Sequence, residues 1–224
     1  MNQLLTTLLP RFVAMATLAV ASIAGAQGVT GDIKAGESKA AMCIGCHGIV
    51  GYQNVFPEVH KVPMISGQSA KYIEAALAAY KKGDRKHPTM RGIAGSLSEQ
   101  DMADLGAFYA QHSPAPAAPE TVVAANDATA ALLAKGGCVA CHGVNFNKPL
   151  DPSYPKLAGQ HADYLYVALK AYTVETNANS KLGRNNAIMG GVAAQYTHAE
   201  LKQLAAYLAS LPSEMAVVPQ SRFR

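Results

Sequence analysis

The chain has 224 residues and four cysteines, and all four cysteines lie in two copies of one pentapeptide, Cys43-Ile44-Gly45-Cys46-His47 and Cys138-Val139-Ala140-Cys141-His142. Thiols at positions i and i+3 sit about one helical turn apart on the same face. Each can therefore add across one vinyl group of a single porphyrin, and the histidine that follows projects its imidazole at the iron from one side. Cys-x-x-Cys-His is the attachment sequence of c-type haem. Covalent tethering makes ligation by His47 and His142 intramolecular, with a high effective concentration. A zinc site would bring its Cys-x-x-Cys pairs within roughly 12–20 residues of each other, whereas these start 95 residues apart. A thioredoxin-like pair needs a βαβ setting, and no strand pattern of useful length surrounds either motif. The sequence thus calls for two covalently bound haem c groups, one on Cys43 and Cys46 and one on Cys138 and Cys141.

The elements that must position these groups are duplicated with them. The segment from about Gly31 to Gln111 reappears from about Asn126 to Ser210. After the first pentapeptide come Gly67-Gln68 leading into Tyr72, Leu77 and Tyr80, then Met90, then Ser98-Glu99-Gln100-Asp101. After the second come Gly159-Gln160 leading into Tyr164, Leu169 and Tyr172, then Met189, then Thr197-His198-Ala199-Glu200. The offset is 95 at the cysteines, 92 at Gly-Gln and 99 at the methionine, a drift that small loop insertions explain. Periodicity is helical over 69–81, with Tyr72, Ala76, Ala79 and Tyr80 on one stripe, and again over 161–171. The last helix of each half opens with a capping box, Ser98-x-x-Asp101 and Thr197-x-x-Glu200, whose hydroxyl satisfies an amide of the first turn. Each half reads as a mainly α domain whose first helix ends near the cysteines.

The repeat also selects the second axial ligand. A Met thioether opposite His is usual in electron-carrying c-type cytochromes and raises the reduction potential relative to bis-His ligation. Met64 aligns with Lys156 and Met102 with Leu201, so neither is paired, but Met90 aligns with Met189. These lie 43 residues after His47 and 47 after His142, just before the capped last helix. A methionine is ordinarily core filler; the paired position reads instead as ligation by Met90 and Met189. His87, three residues before Met90, is the rival ligand, but its counterpart is Asn186. His60, His112, His161 and His198 read as surface or capping residues. Pro63 and Pro155 are placed to present a carbonyl to Nδ1 of the haem-ligating histidine, fixing its tautomer. Tyr72, Tyr80, Tyr164 and Tyr172 read as helix-packing residues, and Arg85, Arg91 and Arg184 suit either haem propionates or exposed ion pairs.

Residues 1–26 read as a secretory signal: Arg11 precedes an apolar run from Phe12 to Ile23, and Ala24-Gly25-Ala26 supplies a small-x-small cleavage pattern. The run is shorter than the roughly 20 residues that span a bilayer. Export to the periplasm is the expectation. Pro114-Ala115-Pro116-Ala117-Ala118-Pro119 cannot continue a helix and reads as an extended connector over 114–119. It divides an N-terminal domain, 27–113, from a C-terminal domain, 120–224. Half the residues are apolar, which excludes disorder as the main state. The net charge of +4 is small and its basic residues scattered, which excludes a nucleic-acid stripe.

With its tandem CIGCH and CVACH sites, the Pro-x-x-x-Gly-Gln stretches Pro63–Gln68 and Pro155–Gln160, the Gly83-Asp84-Arg85 turn and the late Met90 and Met189, the mature sequence resembles the dihaem cytochrome c4 family over essentially its whole length. The resemblance implies two tandem class I cytochrome c domains facing each other about a pseudo-twofold axis, with haem propionates near the interface. It implies a periplasmic electron carrier, in that family often membrane-associated, taking electrons from a quinol-oxidising complex and passing them towards a terminal oxidase or a small redox protein. A similar sequence pattern belongs to the dihaem subunit of flavocytochrome c sulfide dehydrogenase, which docks permanently on a flavoprotein. A dihaem peroxidase or thiosulfate dehydrogenase needs a haem with a displaceable or unusual ligand, against which the equivalent paired methionines argue. The loop Gly51–Val62 is longer than its counterpart and departs from the family pattern.

Overall fold

A computed structural model describes residues 29–121, 123–174 and 180–219; the export signal read at 1–26 lies outside the described residues. The first half runs α1 (Ile33–Lys39), α2 (Ala41–His47), a hairpin of β1 (Gln53–Asn54) and β2 (His60–Lys61), α3 (Ala70–Lys82), β3 (Arg85–Lys86), α4 (Pro88–Gly95) and α5 (Glu99–Gln111). The second runs α6 (Asp127–Lys135), α7 (Cys138–His142), α8 (Ala162–Ala171), β4 (Gly183–Arg184), α9 (Ala187–Ala193) and α10 (His198–Ser210). The fold is mainly α, two tandem class I cytochrome c domains, as the periodicity and the resemblance had it.

Local chemistry sets the helix limits. α3 begins after Ser69 and stops at Gly83, whose φ of 91° is a left-handed conformation that side chains disfavour. Both capping boxes form, at Ser98/Asp101 and Thr197/Glu200. In the second half a Gly136-Gly137 break, with Gly137 at φ 60°, separates α6 from the cysteine helix. Each half buries its own core: Ile73, Leu77, Leu105 and Phe108 in the first, Leu165, Leu201, Leu204 and Leu208 in the second. In the first half α1 crosses α5 at Gly36, where a Cβ would fall 2.1 Å from the Asp104 carbonyl oxygen. The buried Asp104 carboxylate ties the crossing, accepting from the Asp32 N–H (2.8 Å) and the Lys39 ammonium (2.5 Å).

The halves meet through a reciprocal pair of buried amides. Gln68 donates from Nε2 to the Lys156 carbonyl (3.0 Å) and accepts at Oε1 from the Lys156 N–H (2.9 Å). Gln160 does the same to Met64, donating to its carbonyl (2.8 Å) and accepting from its N–H (3.0 Å). Since Gln68 aligns with Gln160 and Met64 with Lys156, these bonds exchange under the pseudo-twofold. On that axis sits the Met215 sulfur, 3.4 Å from one amide nitrogen and 3.8 Å from the other. β3 and β4, one from each half, pair antiparallel with Arg85 opposite Arg184. The chain after α10 crosses back, where the Ala216 N–H donates to the Ser66 carbonyl (3.0 Å). The proline-rich segment lies against the second half, Pro119 accepting from Asn145 (3.2 Å).

Two outcomes follow. Replacing Gln68 or Gln160 by Leu leaves two backbone groups of the opposite half buried without partners, so each change should cost about 1–3 kcal/mol, and the double variant less than the sum, measured by denaturant unfolding. The Asp104 carboxyl lies below the ordinary carboxylate range, held there by the Asp32 N–H and then by Lys39 and Gln100. A depressed folded-state value gives stability that is present above the unfolded value of about 3.9 and lost as pH falls through the folded one. Asp104→Asn should therefore be less stable at neutral pH and lose less stability than wild type between about pH 5 and pH 2, read by thermal melts across that range.

Candidate haem sites

α2 and α7 carry the two pentapeptides, so each Cys pair lies one turn apart on a helix that ends at its histidine. All four cysteines are partly buried and none is in a disulfide. Burial pushes the Cys43 and Cys138 thiols up. The His47 Nδ1 lies 2.8 Å from the Pro63 carbonyl oxygen, and the His142 Nδ1 lies 3.1 Å from that of Pro155. A carbonyl only accepts, so Nδ1 carries the proton and Nε2 keeps its lone pair. Burial lowers both imidazoles from their ordinary value and the proline carbonyls offset this in part, leaving neutral rings. Two thiols and one neutral imidazole with Nε2 available match the attachment side of haem c in both halves.

Met90 and Met189 each occupy the third position of a short helix, α4 or α9, and each is half-buried. Met90 and Cys43 border the same core cluster. The Met90 N–H donates to the His87 Nδ1 (3.4 Å) and the Met189 N–H to the Asn186 Oδ1 (2.9 Å), both from an extended N-cap. His87, the rival ligand of the sequence reading, thus does for α4 what Asn186 does for α9. Burial, then the neighbouring His60, lowers His87 to about 4, so its Nδ1 remains an acceptor at neutral pH.

Between the halves two guanidiniums share three phenols. Arg85 donates to the Tyr164 hydroxyl (2.6 Å) and the Tyr72 hydroxyl (3.2 Å); Arg184 donates to Tyr164 (3.2 Å) and Tyr172 (3.4 Å). No described Asp or Glu bonds to either guanidinium, and the buried Arg85 Nε lacks a hydrogen-bond partner. Burial, opposed only in part by Arg85, pushes Tyr72 up to about 12. At Tyr164 burial acts the same way, but the two guanidiniums outweigh it and bring the phenol down to about 8. A buried positive cluster of this kind accommodates carboxylates, which is the chemistry haem propionates bring. Arg91 is exposed and stands outside it.

The structure corrects the reading of several residues. His60 is not a surface residue: it is 5% exposed, with its ring 6.0 Å from that of Tyr164 and 6.1 Å from that of His87. Tyr72, Tyr164 and Tyr172 do more than pack helices, because their hydroxyls hold the arginines. His161 and His112 cap helix ends, and His198 opens α10. The loop 51–62 folds as a hairpin whose base docks on the second half: the Lys61 N–H donates to Asp163 (3.0 Å), and Lys170 pairs with Glu58. The clamping role of Gln68 and Gln160 was not read from sequence, although their recurrence in both repeats was the available signal. Removing the cap with His87→Ala should cost about 1 kcal/mol locally, seen as faster hydrogen exchange at the first amides of α4, and His87→Asn should restore protection by copying Asn186.

A family model described as Cytochrome c matches residues 127–212. Over its length the chain is similar to cytochrome c4 of Azotobacter vinelandii, 31% identical over 94% of this chain and 100% of that protein. It is also similar to the thiosulfate dehydrogenase electron acceptor of Stutzerimonas stutzeri (strain A1501), 33% identical over 79% of this chain and 82% of that one. Among solved structures, cytochrome c4 of Acidithiobacillus ferrooxidans superposes with a TM-score of 0.59 at 28% identity, covering 77% of this chain and 99% of that one.

Proposed function

The chain belongs to the cytochrome c4 family, a family of electron-transfer proteins with covalently bound haem c rather than of enzymes, and from that premise we propose that it is a dihaem carrier with His/Met ligation in both halves. The observation that carries this reading is the duplication of one arrangement: a neutral histidine held at Nδ1 by a proline carbonyl, and a methionine at the third position of a side-chain-capped helix.

Haem, when bound, supplies a one-electron ferric/ferrous couple. Cys43, Cys46, Cys138 and Cys141 would tether it. His47 and His142 would hold the iron from one side and Met90 and Met189 from the other, while Arg85 and Arg184 would neutralise carboxylates at the interface. With a histidine and a methionine of this chain both holding the iron, no site would be left for a substrate, and the chemistry supplied would be outer-sphere transfer with no acid–base group required. The Gln68 and Gln160 clamps hold the halves at a fixed separation, which suits passage of an electron from one half to the other. The boundaries 27–113 and 120–224, joined by 114–119, describe the two haem-binding units.

The physiological reading is a periplasmic protein, exported by the segment 1–26, that takes electrons from a quinol-oxidising complex and delivers them towards a terminal oxidase. No helix of the described residues is long and apolar enough to cross a membrane. The similarity to a thiosulfate dehydrogenase electron acceptor supports a second reading, in which the donor is a sulfur-oxidising enzyme.

Visible spectra test the ligand set. Wild-type oxidised protein should show the weak far-red sulfur-to-iron band, and Met90→Ala and Met189→Ala should each remove about half of it. An unchanged band in either variant would assign another ligand to that half.

A further inference from the structure

The hairpin after the first Cys-x-x-Cys-His motif has no use inside the molecule for its outer face. Ile49, Val50, Tyr52, Val55, Phe56 and Val59 are 44–74% exposed, six large apolar side chains within eleven residues. The segment's one carboxylate and one imidazole are turned to other uses: Glu58 is paired with Lys170 and His60 is buried, while the backbone at Lys61 is tied to the second half through Asp163. The outer face is therefore apolar and carries no unpaired carboxylate. Isolated exposed apolar residues need no explanation, but a contiguous patch rimmed by polar chain marks an interaction site.

Its place in the chain selects the occupant. Ile49 and Val50 follow His47 by two and three residues, and at no more than about 3.5 Å per residue they lie within roughly 10 Å of that residue's backbone. At its other end the hairpin packs the His60 ring against His87, the cap of the Met90 helix. The apolar face thus borders the stretch between the two residues read as ligands of the first iron, and its base continues into the interface between the halves. Side chains of roughly 150–250 Å², half to three-quarters exposed, present on the order of 600 Å². A stable subunit contact takes about 800 Å² from each side, whereas short-lived electron-transfer complexes bury less than about 1,200 Å² in total.

We propose that the hairpin face, from Ile49 to Val59, is the docking surface for an electron-transfer protein whose own redox centre opens on an uncharged apolar face, held transiently by apolar contact and not by charge. This rests on the carrier reading, and the test separates the two. The probe is reduced azurin, a blue-copper protein with an uncharged apolar face at its copper, mixed with oxidised holoprotein in stopped flow, so that Cu(I) is oxidised to Cu(II) as one ferric haem is reduced to ferrous. Reduction by hexaammineruthenium(II), which needs no docking face, runs alongside. The Val50→Ser/Val55→Ser/Val59→Ser variant changes only exposed side chains; Leu150→Ser, at an exposed apolar residue of the other half, is the comparison.

The expected result is a rate with azurin that falls about tenfold or more in the triple variant, changes little between about 0.02 and 0.5 M salt in wild type, and is unaltered by Leu150→Ser. The ruthenium rate should be equal in all three proteins. A triple variant as fast as wild type with azurin, equal slowing by Leu150→Ser, or a steep salt dependence would overturn the docking proposal alone. Loss of phosphatidylcholine-vesicle binding in the triple variant with its azurin rate intact would assign the face to a membrane and likewise overturn it. Slow ruthenium reduction of wild type would instead overturn the carrier reading.

Discussion

The hydrogen bond from each histidine Nδ1 to a proline carbonyl is the constraint around which both halves are arranged. It fixes the ring tautomer and orientation, and it does so from a segment that has a second task. In the first half, Pro63 holds His47, the next residue, Met64, offers its N–H and carbonyl to Gln160, and Gln68 at the segment's end reaches Lys156. The second half repeats this from Pro155 through Lys156 to Gln160. The Gly67 and Gly159 N–H groups anchor the segments to the ends of α5 and α10, donating to Tyr109 and Leu208 at 2.8 Å in both cases. A six-residue strip thus couples the orientation of the imidazole to the seating of the opposite half. Neither can shift without disturbing the other, so the separation of the two sites is fixed by hydrogen bonds and not by the linker.

Electrostatics at the same interface follow from pairing equivalent strands. Antiparallel pairing of β3 with β4 puts Arg85 opposite Arg184, and two like charges brought together in a buried setting repel unless something shares them. Here the phenols of Tyr72, Tyr164 and Tyr172 do so, and the two guanidiniums still outweigh burial at Tyr164, bringing it down to about 8. Phenols are weak counterparts for two guanidiniums, and carboxylates from bound haem would complete the pairing. This gives haem binding a contribution to holding the halves together in addition to filling each core, since a group bound only by the folded protein stabilises the fold by mass action.

Much of this was legible in the sequence because duplication makes it so. A motif present twice, with a methionine and a capping box at matching positions, separates function from accident without any second sequence. The helices at 69–81 and 161–171 were legible because an apolar stripe and a glycine or turn stop bound them; the observed limits, Ala70–Lys82 and Ala162–Ala171, differ by a residue at the ends, where a cap residue is half in the helix. The interface was not legible. Gln68 and Gln160 announce no chemistry by type, and their partners are backbone groups of residues whose side chains differ, Lys156 and Met64. His60 reads as a surface residue because its burial comes from α8, 100 residues further on, and no local pattern encodes that contact. Met215 belongs to neither repeat, so the signal that found everything else passes over it.

Those unrepeated features are where the halves part company. The first half has the hairpin, where the second has a shorter turn with Phe146 buried at a φ of 57°. His87 caps its methionine helix, lined by His60 and Tyr80, where the second half uses an exposed Asn186. Its α1 crosses α5 at a glycine close enough to exclude a Cβ, while in the second half Gln203 reaches across to the Thr129 hydroxyl (2.9 Å). A symmetric pair of sites would give two equivalent centres and no preferred direction for an electron. An imidazole cap, a tighter crossing and an apolar margin on one side change the polarity and solvent access around one site and leave the other, and these are the levers by which a protein sets a reduction potential. The clamp preserves the symmetry needed to hold two sites at a fixed distance, and the unrepeated residues break it where direction and partner choice are decided.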